Sequence, residues 1–143
     1  MSVKQLSVFL ENRAGQLAEI TSLLSENGVD LRAINIAETA DYGVMRIIAD
    51  NARLAASVLS ENGFILAVND VAAVTVPDEK GALSRVLNLM AQNGVDVEYM
   101  YSVFSRKNGS ASMIFRVNDN EKLDAILKEN GINTADESDF EIN

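Results

Sequence analysis

Glu26-Asn27-Gly28-Val29-Asp30 recurs as Gln92-Asn93-Gly94-Val95-Asp96, and upstream, at the same spacing, Gly15-Gln16-Leu17 recurs as Gly81-Ala82-Leu83. After a two-residue insertion, Val58-Leu59-Ser60-Glu61-Asn62-Gly63 meets Ile126-Leu127-Lys128-Glu129-Asn130-Gly131. A repeat governs how everything else is read, because one supersecondary unit is then used twice. The expected domains are residues 1–70 and 71–143.

Within each copy the apolar period switches in a fixed order. Leu6, Val8 and Leu10 alternate, as one face of a strand does, and Leu17, Ile20, Leu23 and Leu24 then fall at helical spacing. Leu83, Val86, Leu87 and Met90 repeat that helix. Strands follow at Leu31 to Ala37 and Met45 to Ala49, joined through Thr39-Ala40-Asp41, and at Val97 to Phe104 and Ala111 to Val117. The second hairpin carries the insertion at Arg106-Lys107-Asn108-Gly109. Leu54, Ala55, Val58 and Leu59 mark a second helix, matched by Leu123, Ile126 and Leu127, with Asn118 and Glu121 spaced as a capping box.

Each helix runs into Asn-Gly, at 27–28, 62–63, 93–94 and 130–131. After a helical period, this pair fits a glycine C-cap in the left-handed conformation better than a hairpin turn. Phe64 to Val68 closes the first copy and Val71 to Val76 opens the second, leaving Asn69-Asp70 as linker. The fold class is therefore α+β: two tandem ferredoxin-like βαββαβ modules, each an antiparallel sheet with its helices on one face. A module of about 70 residues builds a marginal core alone. Pairing of modules and a homodimer are expected, since an uncovered sheet face leaves an apolar patch.

Composition narrows the function. Apolar residues are 48% and charged residues 23%, ordinary for a globular protein with a core. Twelve basic against 21 acidic residues give a net charge of −9. The acidic excess is shared by both halves, so neither offers the basic face that nucleic acid requires. The chain has no Cys and no His, which removes disulfides, thiolate metal sites and the commonest general base and metal ligand. The acidic tail Asp136-Glu137-Ser138-Asp139 lacks the Gly and final Glu of a calcium loop. No cofactor, metal or catalysis is expected. With no apolar signal core after Met1 and no run near the ~18 residues that span a bilayer, a cytoplasmic protein without membrane contact is expected.

The loop Leu10-Glu11-Asn12-Arg13-Ala14-Gly15-Gln16-Leu17 and the turn Asn27-Gly28-Val29-Asp30-Leu31, set in βαββαβ, resemble the ACT domain. This is the regulatory module attached to many amino-acid biosynthetic enzymes. Its loop often reads Asp/Glu-Asn-x-Pro-Gly-x-Leu. Ala14 stands here where the family has proline, and the second copy, Pro77-Asp78-Glu79-Lys80-Gly81-Ala82-Leu83, has Asp78 in place of the Asn. The resemblance spans nearly the whole chain. It implies a stand-alone regulatory or sensor protein that binds a small molecule, an amino acid by family habit, at module interfaces. It also implies an amino-acid metabolic enzyme as partner.

The site so implied comprises Asn12, Arg13, Ala14, Gly15, Asp30 and Leu31 in the first copy. In the second it comprises Asp78, Lys80, Gly81, Asp96 and Val97. The chemistry suits a zwitterion. Helix N-terminal amides bind a carboxylate, glycine lets the backbone approach, the Asn12 amide donates or accepts, and Asp30 or Asp96 accepts from an ammonium. Asn12 and Asp30 are expected at one edge of the module, and the second copy is expected to bind less well because Asp78 repels a carboxylate. Two rival readings stand beside this one. An acylphosphatase-like hydrolase would use Arg13 as its anion anchor, but the second copy has Glu79 there and a glycine-rich anion loop is missing. A protein–protein interaction or oligomerisation module would bind no metabolite.

Overall fold

The computed structural model of the chain describes residues 2–11, 13–38, 42–103, 109–135 and 137–140. Asn12, the Thr39-Ala40-Asp41 junction, Phe104 and Arg106-Lys107-Asn108 of the second hairpin, and Asp136 of the tail lie outside these residues. The chain divides into two compact units, residues 4–69 with 140–143, and residues 1–3 with 70–139.

The first unit is built from β1 (Ser2–Leu10), α1 (Gln16–Glu26), β2 (Leu31–Glu38), β3 (Gly43–Ala49), α2 (Ala52–Glu61) and the start of β4 (Leu66–Pro77). Its strands lie in the order β2-β3-β1-β4. Leu6 pairs with Ile47 and Leu10 with Gly43 across β1 and β3, while Leu31 pairs with Ala49 and Glu38 with Gly43 across β2 and β3. Leu6, Val8 and Leu10 from β1 share one core with Ile20 and Leu24 of α1 and Ala55 and Leu59 of α2. Both helices therefore cover one sheet face.

The second unit uses the rest of β4, then α3 (Ala82–Gln92), β5 (Val97–Val103), β6 (Ser110–Val117), α4 (Asn120–Glu129) and β7 (Thr134–Ala135). Its order, β5-β6-β4-β7, reproduces the first with β4 in the place of β1. Ala72, Val74 and Val76 pack with Val86 and Met90 of α3 and Leu123 and Leu127 of α4 around the fully buried Phe115. Two ferredoxin-like βαββαβ modules thus stand in tandem.

Every Asn-Gly pair ends a helix. The glycines sit at φ of 75, 85, 69 and 69°. After α1, the amide of Gly28 donates to Ser25 O at 3.1 Å and that of Val29 to Leu24 O at 2.9 Å. The same two bonds close α2, α3 and α4 through Phe64, Val95 and Ile132. Each asparagine adds a third bond, as where Asn27 Nδ2 donates to Leu23 O at 2.8 Å.

Two local expectations are corrected. Asn69-Asp70 is not a linker but lies within the single strand β4. Asn69 Oδ1 accepts from Ser7 Oγ, and the Asp70 carbonyl accepts from Arg116 Nη1 and Asn120 Nδ2. Side chains thereby satisfy polar groups that a loop would have left to water. The cap of α4 is Asp119, accepting from Lys122 N at 3.1 Å. Asn118 instead accepts from the Asp96 amide at 3.0 Å. No helix of the described residues is long and apolar enough to cross a membrane.

Gly28→Ala should destabilise by about 1–2 kcal/mol, the cost of left-handed backbone for a residue with a Cβ. Leu24→Ala, which empties a fully buried position, should cost about 2–5 kcal/mol. Urea denaturation of the two variants checks both values and their order.

Candidate ligand-binding site

The helices open in two ways. Asn51 and Asp119 cap α2 and α4, their side chains accepting from the third residue onward. By contrast, α1 and α3 start from Gly15 and Gly81 at φ of 84 and 85°, with no side-chain cap. Among the described residues the first-turn amides of α1 and α3 have no side-chain cap, and the positive end of each helix dipole faces its strand-to-helix loop. A Cβ on Gly15 would meet nothing within 4 Å, so glycine is required by its φ, and the space beside it is open.

An ion pair staples each loop to its helix. In the first module, Arg13 Nη2 lies 3.0 Å from Glu19 Oε2, and Arg13 Nε lies 3.6 Å from Glu11 Oε2. In the second module the partners are exchanged: Glu79 stands in the loop and Arg85 on the helix, 2.7 Å apart. The first loop thus carries a cation where the second carries an anion.

Two clefts flank the first loop, of about 230 and 220 Å³. Both are lined by Leu10, Glu11, Arg13 and Gln16. The larger adds Leu17, Ile36, Glu38, Tyr42 and Gly43, so its far wall is the closed end of the β2–β3 hairpin. The smaller adds Glu19 and the turn from Asn62 to Ile65 that follows α2. The Phe9 amide anchors that turn by donating to Ile65 O at 2.9 Å. Between the clefts, Gln16 is 6% exposed, and its Oε1 is buried with no hydrogen-bond partner among the described residues.

Of the expected site residues, Arg13, Ala14 and Gly15 come together at this helix start. Asp30 and Leu31 do not join them. The register puts Leu31 opposite Ala49 and Glu38 opposite Gly43 beside Leu10, so Leu31 lies at the end of β2 away from the loop, roughly 23 Å along the strand. Asp30 has local work there. Its carboxylate pairs with Arg32 Nη1, its amide donates to Asp50 Oδ1 at 2.9 Å, and Arg32 Nε donates to the Phe140 carbonyl at 2.7 Å. The expected shared edge for the loop and Asp30 is therefore corrected: Ile36 and Glu38, at the other end of β2, face the loop. In the second module, Asp78, Lys80 and Gly81 precede α3, while Asp96 and Val97 follow it. The Asp78 amide donates to Gly109 O at 2.9 Å. Asp96 repeats the clamp of Asp30 through Asn118.

Sequence reading missed Gln16, Ile36, Glu38 and Tyr42. The signal for Gln16 was present: a polar residue at a position where the repeat has Ala82, itself part of the second module's core. Among the described residues, no cluster of three or more His, Cys, Asp or Glu is placed to hold a metal ion.

These features coincide with a known family. The family model described as an ACT domain pair matches residues 1–142, and the chain belongs to that family. Among solved structures, it is similar to protein BT0572 from Bacteroides thetaiotaomicron, with 38% identity, 99% of this chain and 96% of that one covered, and a TM-score of 0.92. The regulatory subunit of aspartate kinase from Thermus thermophilus, in its ligand-free form, shares 17% identity over 90% of each chain, with a TM-score of 0.68. Its counterpart from Thermus flavus shares 15% over 87% of this chain and 88% of that one, at 0.59. The two kinase subunits attest the fold. No curated protein matches the chain.

The Arg13–Glu19 pair is about half exposed on both sides, and such pairs contribute ~0–1 kcal/mol. Arg13→Ala should therefore leave stability nearly unchanged, whereas Asp50→Ala, which strips the acceptor from the Asp30 amide, should cost about 0.5–1.5 kcal/mol. Parallel urea titrations check the contrast.

Proposed function

We propose that this chain is a regulatory small-molecule sensor that binds an amino acid beside the first strand-to-helix loop and carries out no chemistry of its own. The observation that supports it is the meeting of two kinds of surface at one place. The uncapped α1 amides and Arg13 supply donors for a carboxylate, and Leu10, Leu17, Ile36 and Tyr42 supply an apolar wall for a side chain. Arg13, Ala14 and Gly15 keep their place in this proposal, as does Asn12 by its sequence position between Glu11 and Arg13. Ile36 and Glu38 take the place of Asp30 and Leu31. Asp78, Lys80 and Gly81 form a weaker counterpart, since Glu79 sets a negative charge where Arg13 stands.

The regulatory sense of the proposal draws on membership of the ACT domain pair family. An amino-acid metabolic enzyme is the proposed partner, in the cytoplasm, with no role for nucleic acid. Ile34 and Ile36, 49% and 44% exposed on β2 at the end of the strand order, support a homodimer. They also favour the alternative reading, an interaction module without a metabolite.

A thermal-shift panel of the twenty common amino acids separates the two readings. A ligand at about 100 times its dissociation constant should stabilise by roughly 2.7 kcal/mol. Arg13→Ala should then weaken binding about 10- to 150-fold, while Asp30→Ala binds as the wild type does. If no amino acid raises the melting temperature, the sensor reading fails and the interaction module replaces it. For the dimer, light scattering should give a mass clearly above the 15.5 kDa of one chain, and a monomer at micromolar concentration would refute it.

A further inference from the structure

Each helix ends in a dipeptide that is prone to react with itself. In Asn-Gly the backbone nitrogen of glycine, unhindered by a Cβ, attacks the carboxamide carbon of asparagine. A C–N bond forms, the glycine N–H proton passes through water to the carboxamide nitrogen, and that nitrogen departs as ammonia. The succinimide ring left behind is opened by water at either carbonyl, giving aspartate or isoaspartate. Water is the only reagent, and Asn27, Asn62, Asn93 and Asn130 are all exposed to it. Burial therefore does not protect them.

The helix ends protect them by holding the two reactants apart. Asn27 Nδ2 donates to Leu23 O at 2.8 Å, Asn62 Nδ2 to Val58 O at 2.7 Å, and those of Asn93 and Asn130 to Leu89 O and Ile126 O at 2.8 Å. The glycine amides are engaged as well. Gly28 and Gly63 donate to Ser25 O and Ser60 O at 3.1 Å, Gly94 to Ala91 O at 3.3 Å and Gly131 to Lys128 O at 3.2 Å. The attacking nitrogen thus keeps its proton in a hydrogen bond. The asparagine ψ angles are 14, 15, 10 and 10°. Ring closure needs Cβ and the glycine nitrogen eclipsed about the Cα–C bond, whereas a ψ near zero eclipses that nitrogen with the asparagine's own and turns Cβ away by a tetrahedral step. All three restraints fall together when the cap opens.

We infer that these four asparagines are latent sites of spontaneous deamidation, closed by the caps they form and reactive only when their own helix ends open, short of global unfolding. The product does not rebuild the cap. A carboxylate in place of the Asn27 amide has no proton for the Leu23 carbonyl and sets a negative charge at the negative end of the helix dipole. Isoaspartate inserts one more carbon into the backbone just before the reversing glycine. Each reacted pair is a permanent record that its helix end came open.

The test is site-resolved peptide mass spectrometry of the full chain in mildly alkaline buffer, folded and in guanidinium chloride, scoring amide-to-acid conversion at each pair. Asn108-Gly109 of the second hairpin is scored apart from these four. The folded chain should react about 5- to 150-fold more slowly at all four, since opening a cap breaks both of its hydrogen bonds. Val29→Ala, which trims the buried residue that follows the α1 cap, should speed Asn27 about tenfold and leave Asn62, Asn93 and Asn130 at their wild-type rates. Val95→Ala should do the same for Asn93 at the end of α3, and it keeps the test decisive if Val29→Ala fails to fold. Equal rates in the folded and denatured chains would show that the caps protect nothing and overturn the inference. A substitution that speeds all four sites alike would tie the reaction to global unfolding and overturn it too, as would one that leaves its own asparagine unchanged.

Discussion

A helix that must stop and hand its chain to a strand running back along the sheet has two residues in which to do so. Here glycine at positive φ supplies the reversal four times, and the residue after it donates into the last helical turn. That residue is apolar in every case, and Val29 and Val95 are buried, so the turn that ends the helix also fixes the next segment against the core. Without this reversal, β2 would not enter beside β3, and the hairpin end that walls the larger cleft would have no fixed place.

The repeated pentapeptide and the alternation of β1 were enough to read the fold, because buried periodicity and left-handed glycine are local properties. Boundaries that depend on side-chain competition were less legible. Asn118 and Asp119 are both good caps, and tertiary geometry decides between them: Asn118 is used by the Asp96 amide, which leaves Asp119 for α4. The Asn69-Asp70 pair reads as a loop by composition, yet bonds from Ser7, Arg116 and Asn120 hold it extended.

The candidate site was legible in half. The loop and its glycine are sequence features, whereas the choice between the two ends of β2 depends on register, which a lone sequence states weakly. Asp30 attracted attention as a carboxylate beside the repeated Gly-Val, but that placement reflects a clamp at a bulge, shared with Asp96, where the ladder shifts between Leu31 and Ala33 and between Val97 and Tyr99. Gln16 showed itself in the sequence only as a mismatch in the repeat, a polar residue where the second copy has Ala82, and its burial is what the structure adds.

The exchanged ion pairs carry a further consequence. A staple between two opposite charges holds equally well whichever end bears which sign, so Arg13–Glu19 and Glu79–Arg85 fasten their loops alike. The stapling residue in the loop is nevertheless of opposite sign. The direction of the staple is thus a free variable of this scaffold, exchanged between two copies of one fold whose helices start from glycine at the same left-handed φ.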